Sequence, residues 1–145
     1  MGRRLPIGLA AMVGLLFLCV FSTGASASIV ASIDLSEQRM ALIVDGEYVA
    51  DWPISSGRRG YNTPTGTYRP RALKRMHYSR KYDNSPMPHS VFFYGGYAIH
   101  GTGYLKQLGR PASHGCVRLH PRNAAILFNL IRDYGMRNTR ITISY

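Results

Sequence analysis

Cys116 stands in Ser113-His114-Gly115-Cys116-Val117-Arg118-Leu119, a stretch whose residue types can do covalent chemistry. A thiol acts as a nucleophile when it has a base to ionise it, donors for the oxyanion, and access to substrate. Gly115 lets backbone approach a substrate closely and permits unusual dihedrals. Consecutive N–H groups at His114, Gly115 and Cys116 in a turn could form an oxyanion hole. Arg118, two residues on, shares the cysteine's face in an extended segment and could bind a substrate carboxylate. Three histidines, His100, His114 and His120, lie within 16 positions of the cysteine.

Each residue also has a plainer reading. A lone Cys serves as a small buried hydrophobe, His100 as a hydrogen-bonded core residue and Arg118 as a surface charge. His100, His114, Cys116 and His120 together offer four zinc-ligating atoms, but the H-x-C-x3-H spacing matches no common zinc pattern. Of the histidines, His114 is nearest the cysteine in sequence. An i, i+2 pair in extended backbone nevertheless holds its side chains roughly 6–7 Å apart. A base must come within about 2.6–3.2 Å. His100, ending an expected strand, can be brought against the thiol from across a sheet.

The elements that must position these groups read mainly as strands. Ile29 to Leu35 and Met40 to Val44 are rich in β-branched residues. The turn signal Asp45-Gly46 then leads to Tyr48 to Ile54, giving a three-stranded meander. Thr63-Pro64-Thr65-Gly66 is a further turn before a strand at Thr67 to Arg71. Val91 to Tyr94 and Tyr97 to His100 read as strand pieces around Gly95-Gly96. Pro121 to Tyr134 is the one helix, with Pro121 in the first turn and Gly135 as its stop. Thr139 to Ser144 closes as a strand. The fold class expected is mainly β, a sandwich or barrel-like domain with one packed α-helix near the C-terminus. Residues 73–89, polar and punctuated by Pro86 and Pro88, read as a long functional loop, a lid whose Tyr78 and Tyr82 contact substrate.

Arg3 and Arg4, the apolar run Ile7 to Phe21 and the small residues Ala25-Ser26-Ala27 read as a secretory signal over 1–27, cut near Ser28. Residues 28–145 then form one domain with a real core. Cleavage removes Cys19 and leaves Cys116 without a disulfide partner in a compartment where disulfides form. The chain carries 18 basic and 7 acidic residues. Without Arg3 and Arg4 the net charge is about +9, which favours a polyanionic partner. The basic residues are scattered and no nucleic-acid motif is present. An acidic envelope polymer therefore fits better than nucleic acid, and the plainer reading of the charge is solubility alone.

"HGTGYLKQLGRPASHGCVRL" (100–119) closely resembles the signature of L,D-transpeptidases with the YkuD-type catalytic domain. "TPTGTY" (63–68), "KYDNSPMP" (81–88) and "FFYGGYAIHG" (92–101) resemble segments of the same family in the same order. The resemblance covers nearly all of 28–145 and implies a reaction. Cys116 would attack the carbonyl between the diamino acid and the terminal D-Ala of a peptidoglycan tetrapeptide stem. His100 would accept and return the proton, oriented by the Gly101 carbonyl or alternatively by the Ser113 side chain. The amides of His114, Gly115 and Cys116 would hold the oxyanion, with Arg118 near substrate or bracing the loop. A neighbouring stem's side-chain amine, or water, would then take the acyl group. The resemblance implies no metal or organic cofactor, carbapenem-class β-lactams as covalent inhibitors, and no membrane anchor after signal cleavage in a periplasmic or envelope setting. Two rivals are a sortase-like transpeptidase, whose histidine normally lies much further upstream, and a non-catalytic envelope-binding module.

Overall fold

The computed structural model describes residues 28–145. The expected secretory segment, 1–27, lies outside the described residues. Nine strands form two sheets. One has five strands in the order β3-β2-β1-β9-β4: β1 (Ile29–Asp34), β2 (Arg39–Val44), β3 (Glu47–Pro53), β4 (Gly66–Tyr68) and β9 (Thr139–Ser144). The other has four in the order β5-β6-β7-β8: β5 (Ala72–Ser79), β6 (Ser85–Tyr94), β7 (Tyr97–Gly101) and β8 (Val117–Leu119). The expected meander is β1–β2–β3, and Asp45 and Gly46 turn it with φ of 52° and 85°, the paired positive values of a two-residue hairpin turn.

Period-two alternation decides what each strand buries. Ile29, Ala31 and Ile33 of β1 point inward, as do Ile141 and Ile143 of β9. They meet Val91 and Phe93 of β6, Ile99 of β7 and Val117 and Leu119 of β8 in a single core. The helix α1 (Pro121–Tyr134) adds Ala124, Leu127, Phe128 and Ile131, at helical spacing, and packs on β6 and β7. Pro121 occupies its first turn and Gly135, at φ 95°, ends it. The mainly β sandwich with one packed helix is therefore the observed architecture. Among the described residues, no helix is long and apolar enough to cross a membrane.

The stretch 73–89 is not a structureless loop. It forms most of the β5–β6 hairpin, with its turn over residues 80–84. Pro86 and Pro88 lie where β6 pairs with β5 only, short of the Val91–Tyr94 stretch that reaches β7, so their missing N–H groups can face an open edge. Polarity and proline content concealed the hairpin.

β9 sits between β1, its parallel partner, and β4, and joins the two ends of the domain. Ile141, fully buried opposite Ala31 and Tyr68, is central to that seam. Ile141→Ala should lower unfolding stability by about 2–5 kcal/mol, the usual range for truncating a buried isoleucine. Urea titration followed by circular dichroism measures it.

Candidate active site

β7 and β8 pair in parallel, with Ile99 opposite Val117 and His100 opposite Arg118. Ile99 and Val117 point into the core, so His100 and Arg118 point to the other face. Cys116, two residues before Arg118, falls on that same face beside Ala98 and diagonally across from His100. All three side chains line one cavity of about 920 Å³. The strand pairing thus gathers the three groups that the sequence singles out.

His100 is 6% exposed. Its Nδ1 lies 2.7 Å from the Gly101 carbonyl oxygen. A carbonyl only accepts, so Nδ1 carries the proton and Nε2 of the neutral ring is left as a free base. Burial pushes the His100 pKa down to about 4, against the opposing pull of the Gly101 carbonyl, and the Arg118 and His77 charges lower it further. Burial also raises the Cys116 thiol above its ordinary value, while the Ala98 backbone N–H and Arg118 act the other way. Both shifts favour the uncharged forms, a thiol at Cys116 and a neutral imidazole at His100.

The Ser113–Cys116 turn is braced from within and from the side. Ser113 Oγ donates to the Cys116 carbonyl at 2.5 Å and accepts from the Gly115 N–H at 3.0 Å. Ser113 therefore shapes the turn and does not orient the imidazole, which Gly101 does. The Gly115 amide is occupied by that bond. The amides of His114 and Cys116, for which no acceptor is found among the described residues, are the donors left for an oxyanion. Thr63 Oγ1 accepts from the Gly57 N–H at 2.9 Å and donates to the Gly115 carbonyl at 2.8 Å. The first hydroxyl of the Thr-Pro-Thr-Gly turn thereby stitches two loops together. Gly115 has φ 114°, and a Cβ there would lie 2.5 Å from the Tyr97 ring.

His114 also lines the cavity, but its ring is held by other partners. Its Nε2 lies 2.9 Å from an Arg58 guanidinium nitrogen, which can only donate. Its ring stacks on Tyr82 at 4.1 Å and meets Tyr61 edge-on at 4.8 Å. Burial first, then Arg58, Arg118 and Lys81, lower its pKa. Tyr82 thereby ties the tip of the β5–β6 hairpin to the cysteine turn. His120 is elsewhere: its Nδ1 accepts from the Arg122 N–H at 3.2 Å and caps α1. Among the described residues, no three metal-ligating side chains converge.

Tyr78 is 54% exposed and does not line the cavity. The reason is a break in alternation. His89 on β6 has φ 52°, and the Arg75–His89 pair is missing from the ladder. On one side of the break Lys74 and Phe92 face the cavity; beyond it His77, Ser79, Ser85 and Met87 do, and Tyr78 is turned outward. Sequence alternation alone could not locate that break.

Arg118 donates to Gln107 Oε1 at 2.9 Å and lies 5.5 Å from the Tyr104 ring centroid. It lines the cavity while holding the loop that follows β7. Arg58, His77, Tyr104 and Gln107 line the cavity and were not singled out by sequence reasoning. Arg58 and Gln107 act through partners remote in sequence, and no local pattern announces them.

The L,D-transpeptidase catalytic domain family, YkuD, matches this chain over residues 28–143. The putative L,D-transpeptidase YkuD of Bacillus subtilis (strain 168) is 22% identical over 117 residues, covering 78% of this chain and 64% of that protein. The L,D-transpeptidase of Xylanimonas cellulosilytica DSM 15894 (residues 123–326) is 33% identical with a TM-score of 0.64, over 83% of this chain and 62% of that one. L,D-transpeptidase 3 of Mycobacterium tuberculosis, in complex with a faropenem-derived adduct, is 20% identical with a TM-score of 0.70, over 82% and 61%. The chain thus spans less than two thirds of the length of these relatives. It belongs to the L,D-transpeptidase catalytic domain family.

Two outcomes follow from the geometry. Gly115→Ala should cost about 1–3 kcal/mol in stability, because alanine is strained at this φ and its Cβ meets Tyr97. Urea unfolding checks the stability, and iodoacetamide labelling should show an altered Cys116 reactivity as the turn shifts. The second concerns pH. The folded state holds His100 at about 4 against an ordinary 6.5, so this contribution is present above pH 6.5 and is lost as pH falls toward 4. Between pH 7 and pH 4 the native protein should lose about 3 kcal/mol more than His100→Asn, at 1.36 kcal/mol per pH unit. Chemical denaturation at both pH values measures the difference.

Proposed function

We propose that this chain is a cysteine-dependent peptidoglycan L,D-transpeptidase. The observation that carries the reading is the neutral His100, its Nδ1 proton fixed on the Gly101 carbonyl, lining one cavity with the Cys116 thiol and Arg118.

In this mechanism His100 Nε2 takes the thiol proton as sulfur attacks the carbonyl between the diamino acid and the terminal D-Ala of a tetrapeptide stem. The developing oxyanion is met by the His114 and Cys116 amides. His100 returns the proton to the leaving amine, D-Ala departs, and a thioester to Cys116 remains. A diamino-acid side-chain amine of a second stem attacks the thioester, giving a 3→3 cross-link. Arg118, half-buried and held by Gln107, presents positive charge to a substrate carboxylate. The protein chain supplies every one of these steps. A second reading, L,D-carboxypeptidase-type hydrolysis, uses the same thioester with water as acceptor. The open cavity beside Cys116 favours that reading only where no amine acceptor fills it.

The location that fits is the cell envelope, reached through a cleaved signal at 1–27, with the periplasm as the compartment. There a cysteine without a disulfide partner keeps its thiol, and the basic surface meets stems rich in carboxylates. Carbapenem-class β-lactams fit as covalent inhibitors, since a strained lactam carbonyl suits the same nucleophile. The imipenem complex of the L,D-transpeptidase LdtMt1 supports this.

The test is intact-protein mass spectrometry after incubation with imipenem, together with turnover on tetrapeptide muropeptides. The native protein should gain one drug mass and release D-Ala. Cys116→Ala should do neither, with activity reduced to the background rate, because the attacking atom is gone. An unmodified native protein with no turnover would support the envelope-binding module instead.

A further inference from the structure

Thr63 stands behind the cysteine turn, 4% exposed and outside the cavity that Ser113, His114 and Cys116 line. Its hydroxyl has two partners whose chemistry fixes the direction of both bonds. The Gly57 N–H, at 2.9 Å, can only donate, so Oγ1 accepts there. The Gly115 carbonyl, at 2.8 Å, can only accept, so the hydroxyl proton points to it. The hydroxyl cannot turn without giving up one of these buried bonds. Its mounting is stiff as well: Thr63 is β-branched, and Pro64 after it restricts its backbone.

The Gly115 carbonyl belongs to the same peptide unit as the Cys116 N–H. No peptide bond among the described residues is cis, so the two groups point in opposite directions across one plane. Thr63 draws the carbonyl to the back of the turn, which sends the Cys116 N–H to the front, the side of the cavity. The neighbouring groups are held differently. The Gly115 N–H and the Cys116 carbonyl both bind Ser113 Oγ, inside the turn. The peptide between them takes the one hydrogen bond found for it among the described residues from outside, from Thr63. Gly115, at φ 114°, has no side chain to resist rotation of that peptide.

We propose that Thr63 is a positioning residue for the oxyanion: acting through the Gly115–Cys116 peptide, its hydroxyl aims the Cys116 amide and strengthens it as a donor. The strengthening is polarisation, since a hydrogen bond into a carbonyl makes the N–H of the same peptide more positive. Gly57, Thr63 and that peptide form a relay of donors that ends at the substrate oxygen. Thr63 itself touches neither substrate nor sulfur. This inference rests on the transpeptidase reading and adds a residue on which both of its chemical steps depend. As sulfur attacks, a C–S bond forms and the carbonyl π pair moves onto oxygen, where the Cys116 amide meets it. The thiol proton passes through His100 to the leaving amine as the C–N bond breaks and the carbonyl re-forms. The acceptor amine then attacks the thioester and raises the same oxyanion. Its collapse breaks the C–S bond, and the proton shed by the amine returns through His100 to sulfur. Thr63 gains and loses no proton in either step.

The experiment compares full-length native protein with Thr63→Val, which keeps the shape of the side chain without its hydroxyl, and Thr63→Ser, which keeps the hydroxyl. Two reactions of Cys116 are timed by intact-protein mass spectrometry. Acylation by imipenem passes through an oxyanion, whereas alkylation by iodoacetamide displaces iodide from a saturated carbon and forms none. Thr63→Val should acylate about tenfold more slowly than the native protein, because the oxyanion loses an aimed donor. Its alkylation rate should stay within about twofold of native, and on tetrapeptide muropeptides the loss should fall in kcat and not in KM. Thr63→Ser should acylate and alkylate like the native protein. Equal changes in acylation and alkylation would assign Thr63 to the shape of the turn alone and overturn the inference. So would a Thr63→Val protein that acylates at the native rate, or a Thr63→Ser protein as slow as Thr63→Val. Circular dichroism checks each fold, and Thr63→Ala repeats the test if the valine variant does not fold. Loss of fold in both variants places the hydroxyl's role in folding and overturns the inference too. A native protein that is alkylated yet takes no imipenem and releases no D-Ala overturns the transpeptidase reading, and this inference with it.

Discussion

A single parallel rung, His100 opposite Arg118 between β7 and β8, fixes where the histidine, arginine and cysteine of the cavity stand. Strand geometry then leaves little choice. Ile99 and Val117 must enter the core, so the residues on either side of them must leave it on the cavity face. A slip of one residue in β8 would bury Cys116 and expose Val117, and the apolar core forbids that slip. The site owes its alignment to hydrophobic packing on the opposite side of the same sheet. The chemistry and the stability of the domain share one register.

The site also has an electrostatic economy. Burial makes both partners reluctant to ionise: the thiol is raised and the imidazole lowered. Arg118 and the Ala98 amide oppose that rise at the thiol. The turn that carries the thiol is held by the Ser113 and Thr63 hydroxyls, so its backbone dipoles are fixed in place. A polar, solvated site would ionise more readily but would hold its donors less well. Low dielectric makes the same fixed donors more effective.

The sequence was informative where physics is local. The bounds of α1 follow from Pro121, Gly135 and the spacing of Ala124, Leu127 and Ile131. The β1–β2–β3 meander follows from its turn residues and β-branched runs. Cys116 and Arg118 share a face by strand alternation and His100 was legible through the family resemblance, while their meeting in one cavity depends on the β7–β8 pairing. The β5–β6 hairpin was not, because Pro86 and Pro88 are breakers whose cost vanishes only on an open edge, and openness is a property of the sheet. Tyr78 was placed on substrate because 73–89 read as a lid; in the hairpin that forms instead, the left-handed His89 breaks the alternation and Tyr78 is exposed. Ser113 was the alternative orienting group that the resemblance offered beside Gly101, and its hydroxyl is taken by its own turn. Arg58 and Gln107 needed tertiary structure to be seen at all.

The pairing of β1 with β9 has a kinetic meaning. β1 begins at residue 29 and β9 ends at residue 144, yet they are neighbours inside one sheet. β9 also supplies the only partner of β4. The sheet therefore remains incomplete until β9 pairs, and that closing contact joins residues 29–34 to residues 139–144. Such long-range closure raises contact order and slows folding. Until β9 docks, β1 and β4 have no strand between them and the larger sheet cannot close. A polypeptide of this design delays its own compaction.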